Sequence, residues 1–138
     1  MPRRDLYHST VREALTKDGW LITDDPFVIQ YKGLRLYADL GAEKPLAAEK
    51  DGQKIVVEIK VFGTPSLINE LENAVGQYAV YRTFLKQIYP DHQLFLALPH
   101  DIYQDFFQHP AVKIIISDHN IHLIVFDPDK EEIIKWEK

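Results

Sequence analysis

Three charged side chains have the types and spacing that phosphodiester chemistry uses. Glu58 and Lys60 lie two residues apart in an apolar segment, and Asp39 precedes Glu58 by eighteen intervening residues. Two carboxylates that converge from neighbouring strands form a hard, oxygen-rich site suited to Mg²⁺ or Mn²⁺, and the backbone carbonyl of Ile59 could complete it. A lysine beside such a cation can hold a bound water and offset charge on a phosphate. The pattern therefore predicts a metal site for phosphodiester hydrolysis.

The segment 54–62, which carries Glu58 and Lys60, is predicted to be a strand with two apolar faces. Alternation assigns Ile55, Val57, Ile59 and Val61 to one face, and Val56, Glu58, Lys60 and Phe62 to the other. Burying a charge costs on the order of several kcal/mol unless the ion is paired or binds something. A plain alternative is a structural ion pair between Glu58 and Lys60, or a polar strip at a sheet edge. The apolar neighbours and Asp39 favour a functional site.

Composition predicts one soluble domain without a strong attraction to polyanions. The chain has 138 residues, 46% of them hydrophobic, and a net charge of -5. DNA contact must therefore be local rather than driven by a global positive field. There is no cysteine, and therefore no disulfide framework or thiolate zinc site. Because no apolar run has the length of a signal region or a membrane span, we expect a cytoplasmic protein without membrane contact.

Hydrophobic periodicity and turn signals predict a mixed sheet flanked by helices. A helix is expected over 5–18 and a long one over 66–87, after the break at 63–66. Asp51-Gly52 is a tight-turn signal, so the strands of Asp39 and Glu58 could be hairpin neighbours, directly or with a small excursion between them. Further predictions are strands at 20–23, 27–31, 34–40 and 93–99, a short helix at 101–107, an ambiguous segment at 110–116, and a terminal hairpin of 121–126 with 131–136.

Two helical positions carry further candidate side chains. Gln77 and Tyr81 are one turn apart at the margin of the apolar stripe of the long helix. Without other information, they are a local side-chain pair on a partly exposed face. His8 shares a face with Val11 and Leu15, which favours a hydrogen-bonded histidine at the edge of the core. Each of these residues has a plain structural interpretation beside the functional one.

These residues resemble the PD-(D/E)xK nuclease superfamily over roughly residues 5–98, in its αβββαβ order. An E-x-K pattern alone is weak, but the longer set of matches is more specific. Over nearly the full chain, the sequence resembles the cyanobacterial fdxN-element excision controlling factor family, XisH. The matching segments are Tyr7-His8, KDGW at 17–20, YADLGAE at 37–43, VEIK at 57–60, and GQY at 76–78 with Tyr81-Arg82.

The resemblance implies a single nuclease-like domain over 1–138, with a restriction-endonuclease-like core and a C-terminal β-hairpin extension. It implies that Asp39 and Glu58 bind Mg²⁺ or Mn²⁺ and that Lys60 assists the attacking water. Gln77 and Tyr81 match the Q-x-x-x-Y pattern of nucleases related to the RecB nuclease domain, where this helix supports the site and touches DNA. His8 falls where many superfamily members carry a glutamate, so it could ligate metal, contact phosphate or mark a weakened site.

Three functions remain open from the sequence. The first is a metal-dependent DNA endonuclease acting through Asp39, Glu58 and Lys60. The second is an accessory DNA-binding factor in excision by a site-specific recombinase, which does not need hydrolysis. The third is a protein-interaction subunit, because the family resemblance implies a second excision factor, XisI, as a partner and the net charge is negative. A homodimer would suit the cutting of two strands.

Overall fold

The computed structural model describes residues 3–36 and 45–138, which form a six-stranded mixed sheet with helices on both faces. The strand order is β1-β4-β5-β6-β7-β8, and a second, two-stranded sheet contains β2 and β3. The helices are α1 (Arg3–Lys17), α2 (Leu67–Ile88), α3 (His100–Gln104) and α4 (Pro110–Asp118). The strands are β1 (Leu21–Asp24), β2 (Ile29–Tyr31), β3 (Leu34–Leu36), β4 (Leu46–Lys50), β5 (Gln53–Ile59), β6 (His92–Pro99), β7 (Leu123–Asp127) and β8 (Glu132–Glu137).

The predicted α/β class, with a mixed sheet between helices and a C-terminal hairpin, is confirmed. β5, β6 and β7 are mutually parallel, whereas β1, β4 and β8 join by antiparallel pairing. β7 and β8 form the terminal hairpin expected from the sequence. The crossover from β5 through α2 to β6 explains the parallel pair, because parallel neighbours need a long connection.

The strand β5 separates two hydrophobic clusters, and its alternation decides which side chain enters each. Ile55, Val57 and Ile59 lie in the cluster under α1 and β8. Val56 lies in the cluster under α2 and α4, where Phe62 also packs. Glu58 alternates with Ile59 and therefore belongs to the side of α2. The two-faced strand predicted over 54–62 is thus confirmed as far as Ile59, where β5 ends; residues 60–62 belong to the loop that follows.

The neighbour of β5 differs from the simplest sequence expectation. The Asp51-Gly52 turn, with φ of +52° and +80°, joins β4 to β5, so β4 is the antiparallel partner. β3 instead pairs with β2 in the separate sheet. Direct pairing of β3 with β5 is therefore wrong over the described residues. Asp39 itself lies outside them.

The segment 110–116, ambiguous in sequence, belongs to helix α4. Pro110 occupies its first turn, and the His109 side chain accepts a hydrogen bond from the Ala111 N–H at 3.1 Å. Val112 and Ile116 are buried on its inner face. The helix therefore forms despite its β-branched isoleucines, because its cap and its buried face outweigh local propensity.

Candidate functional site

Glu58 is a buried carboxyl on the α2 side of the central strand β5. It is 3% exposed and follows the wholly buried Val56 and Val57. Burial raises the pKa of this carboxyl from 4.5 to about 8, and the nearby Lys60 charge only partly offsets the effect. Within the described part of the chain, its Oε2 has no hydrogen-bond partner. A buried polar oxygen without a partner is rare and indicates a missing ligand, proton donor or water.

Lys60 follows the end of β5 and pairs with a residue that the sequence did not single out. Its Nζ lies 3.6 Å from Glu70 Oε1, with side-chain exposures of 18% and 15%. The Gly63 N–H donates to Glu70 Oε2 at 3.1 Å. Glu70 thus joins the first turn of α2 to both the lysine and the loop that follows it.

The loop between β5 and α2 is held by a buried aromatic residue in an unusual backbone conformation. Phe62 has a φ of +54°, which is costly for a large side chain. It is buried, and its ring centroid lies 5.4 Å from that of Phe107 and 6.3 Å from that of Phe106. The aromatic packing therefore fixes the loop that carries Lys60 and Gly63.

Helix α2 brings Gln77 and Tyr81 to the same face of the sheet as Glu58. Tyr81 is 4% exposed, and Gln77 is half-buried. Because α2 rises about 1.5 Å per residue, Gln77 lies roughly 10 Å along the axis from Glu70, and Tyr81 lies about 16 Å from it. Glu70 is therefore the α2 side chain at Lys60, and the other two lie further along the helix.

His8 lies on α1, which packs against the opposite face of the sheet from Glu58. Its Nε2 is 2.8 Å from Asp25 Oδ1 and 3.0 Å from Oδ2, and Arg12 also pairs with Asp25. Burial disfavours the charged form of Asp25, but the hydrogen bonds with His8 and Arg12 leave its pKa below the ordinary 3.8. The described residues thus join His8 to Asp25 and do not bring it to Glu58.

A divalent cation fits the donor chemistry of Glu58, but the remaining carboxylate ligand rests on prediction. The unpartnered Oε2 is a hard oxygen donor of the kind that Mg²⁺ prefers. Ile59 is the last residue of β5, and the next N–H, that of Lys60, donates to the Ala97 carbonyl at 2.9 Å. Over residues 3–36 and 45–138, no group of three or more His, Cys, Asp or Glu could hold a metal ion. Asp39 as the second ligand lies outside those ranges and stays a prediction.

Comparison with known proteins identifies the family. The family model described as XisH protein matches residues 1–134. This chain belongs to the XisH family. The match covers nearly the whole chain, as the resemblance of the sequence motifs had indicated.

Two solved structures share the XisH fold along almost their full lengths. One is a fdxN element excision controlling factor protein from Anabaena variabilis, with 41% identity and a TM-score of 0.90, covering 97% of this chain and 99% of the other. The second is an XisH family protein from Nostoc punctiforme PCC 73102, with 38% identity and a TM-score of 0.90, covering 97% and 100%. No curated protein matches the chain.

Glu70 was missed in the sequence because its role depends on a contact between two elements. No local sequence signal showed that the loop 60–66 would bring the first turn of α2 back into contact with Lys60. A glutamate in the first turn of a helix is also common for a purely structural reason, its interaction with the helix dipole, so its presence there does not indicate a second role.

In the described part of this XisH chain, no helix combines the length and apolar character needed to cross a bilayer.

Proposed function

We propose that this XisH chain is a factor for programmed excision of a DNA element and carries a Mg²⁺-dependent DNA endonuclease site. The excision role is supported by the similarity to the Anabaena variabilis protein, whose name is fdxN element excision controlling factor. The nuclease site is supported by one observation above others. Glu58 is a buried carboxyl whose Oε2 lacks a hydrogen-bond partner within the described chain, and Lys60 follows two residues later.

The proposed roles follow from the positions of the side chains. Glu58, Asp39 and the Ile59 carbonyl would hold Mg²⁺ or Mn²⁺, which when bound polarises a phosphate oxygen and acidifies a bound water. Lys60 supplies a positive charge at the end of β5, where it can face a DNA phosphate. Gln77 and Tyr81 support the site from α2 or contact DNA. His8, which pairs with Asp25 on the face of the sheet opposite Glu58, takes no part in this proposed cation site.

The state of Glu58 sets the conditions for a test. With a pKa of about 8, the carboxyl carries a proton at neutral pH in the absence of a cation. A cation and the proton therefore compete for it, so affinity should rise up to roughly tenfold per pH unit below that pKa. Calorimetric Mg²⁺ and Mn²⁺ titrations should be run both below and above this pKa.

The decisive experiment combines these titrations with cleavage of plasmid and branched DNA. Wild-type protein should bind the cation and cut, whereas Glu58→Gln, Lys60→Ala and Asp39→Asn should each lose about a hundredfold or more of the cleavage rate. Glu72→Gln, on the exposed side of α2, is the matched control. Cleavage that survives in both Glu58→Gln and Lys60→Ala would refute the assignment and indicate a contaminating nuclease.

A second candidate is an accessory factor that keeps the site without hydrolysis, and one observation favours it. Glu58 favours its neutral form, and Lys60 is already paired with Glu70, so the described residues alone present little free charge for catalysis. In this alternative the chain binds DNA, the second excision factor XisI or the recombinase, alone or as a homodimer. Excision in cells that survives Asp39→Asn or Glu58→Gln but is lost on deletion of the protein would support it.

A further inference from the structure

Two carboxyl groups lie near Lys60, those of Glu58 and Glu70, and the lysine pairs with Glu70, the more distant of the two in sequence. The Lys60 N–H continues the pairing with β6 past the end of β5 by donating to the Ala97 carbonyl. Residues two apart in such an extended segment project to the same side, so Glu58 is the local partner for Lys60. The ammonium instead lies 3.6 Å from Glu70 Oε1. Glu58 Oε2, within the described residues, has no hydrogen bond at all. The structure therefore shows an ammonium held by one glutamate beside an unpaired oxygen of another.

We propose that Glu70 is a positioning residue that holds the Lys60 ammonium away from Glu58 and so leaves Glu58 available to a divalent cation. Both carboxylate oxygens of Glu70 are held by contacts: Oε1 lies beside the Lys60 ammonium, and Oε2 accepts a hydrogen bond from the Gly63 N–H. Its place in the first turn of α2 also favours a negative charge there. This inference rests on the proposed cation site and adds the residue that keeps that site open.

The competing interpretation is an ordinary salt bridge between a loop and a helix. Such a pair joins the loop to the helix, and removing one partner would change stability without affecting Glu58. The two interpretations differ in where Lys60 goes when Glu70 loses its charge. If Glu70 positions the lysine, the ammonium turns to Glu58 and competes there with the cation. If it does not, the ammonium simply enters solvent.

Mn²⁺ affinity in a set of five proteins distinguishes these outcomes. The set is wild type, Glu70→Gln, Lys60→Met, the Glu70→Gln/Lys60→Met double variant, and Glu72→Gln as control. In Glu70→Gln the amide oxygen of the new side chain can still accept from the Gly63 N–H, so this variant removes charge and preserves the loop contact. An adjacent ammonium favours an ionised carboxylate partner by one to three pKa units, and the cation must displace that ammonium to bind. Above the pKa of Glu58, where no proton competes for the carboxylate, we therefore expect Glu70→Gln to weaken Mn²⁺ binding roughly tenfold or more. The double variant should recover to within about twofold of Lys60→Met, since the competing ammonium is gone.

Two results would overturn the inference. One is a Glu70→Gln affinity equal to that of Glu72→Gln, and the other is a loss that Lys60→Met does not rescue, which would indicate structural damage. Metal-free crystal structures of wild type and Glu70→Gln provide a readout independent of the cation. Lys60 Nζ should approach the Glu58 carboxyl in the variant, and an ammonium that stays away refutes the positioning role. If wild type binds no Mn²⁺, the proposed cation site fails, and the crystal comparison still decides the role of Glu70.

Discussion

Replacing Glu58 with glutamine should change how the stability of the protein depends on pH. The folded carboxyl has a pKa of about 8, whereas the ordinary value is 4.5. Between these values the folded protein keeps a proton that the unfolded chain has released, so rising pH favours unfolding. Each pKa unit is worth about 1.36 kcal/mol, so this one group destabilises the metal-free protein by about 5 kcal/mol at and above pH 8. That is a large share of a typical domain stability of ~5–15 kcal/mol.

Glutamine has nearly the same shape and no charge to lose. Its amide N–H groups would also be buried, at a cost that does not vary with pH. The useful quantity is therefore how the difference in free energy of unfolding between Glu58→Gln and wild type changes with pH, and not the size of that difference at one pH. We expect the stability of Glu58→Gln relative to wild type to rise with pH from about pH 5 to pH 8, and then to level off.

Urea unfolding with a chelator present, repeated across this pH range, measures the effect. All other titrating groups are common to both proteins and cancel in the difference, and Glu72→Gln controls for the loss of one negative charge. If the free energies of unfolding of wild type and Glu58→Gln run parallel against pH, burial does not raise the pKa of Glu58 in the way this reasoning requires.

Two further substitutions test one contact on each face of the sheet. Tyr78→Phe should lower the free energy of unfolding by about 2 kcal/mol or more, since the hydroxyl donates to the Leu94 carbonyl at 2.8 Å and accepts from the His122 N–H at 3.1 Å. Tyr89→Phe, at an exposed tyrosine, is the control, and an equal cost in urea unfolding would contradict the role of those bonds. Asp25→Asn should lose stability at neutral pH by up to about 1 kcal/mol, because the lowered pKa of Asp25 stabilises the fold above 3.8 and that contribution disappears as pH falls through the folded pKa. Acid titrations should therefore converge for Asp25→Asn and wild type at low pH, and a constant gap would contradict this.

The elements that were predicted well are those whose evidence is local in sequence. The alternation of 54–59, the break before Leu67 and the two segments of the terminal hairpin each depend on neighbouring residues, and the structure confirms them, although the strand predicted to reach 62 ends at Ile59. α4 was ambiguous because a run of isoleucines suits a buried strand or a buried helix equally. Only its contacts with the rest of the fold decide between them.

The pairing of distant segments could not be predicted in the same way. The Asp51-Gly52 turn signal indicated a hairpin that ends in β5, but the sequence did not decide whether its other strand was 46–50 or the strand of Asp39, because a pairing partner is chosen by the packing of the whole sheet. The same limit applies to the site. Glu58 and Lys60 were identified from one strand, but the contact between Lys60 and Glu70 exists only after the loop has turned and α2 has docked.

The arrangement of the two glutamates connects the nuclease and accessory interpretations of this XisH protein. In the described residues, one glutamate favours its neutral form and the other is matched to a lysine, so the pair adds little net charge to the end of β5. A cation changes this balance only if it displaces the proton of Glu58, and that displacement is harder when Glu58 is the sole carboxylate. A second carboxylate, which is the role predicted for Asp39, would therefore do more than add one metal ligand. It would determine whether the same buried glutamate acts as a neutral core residue or as a metal ligand at physiological pH.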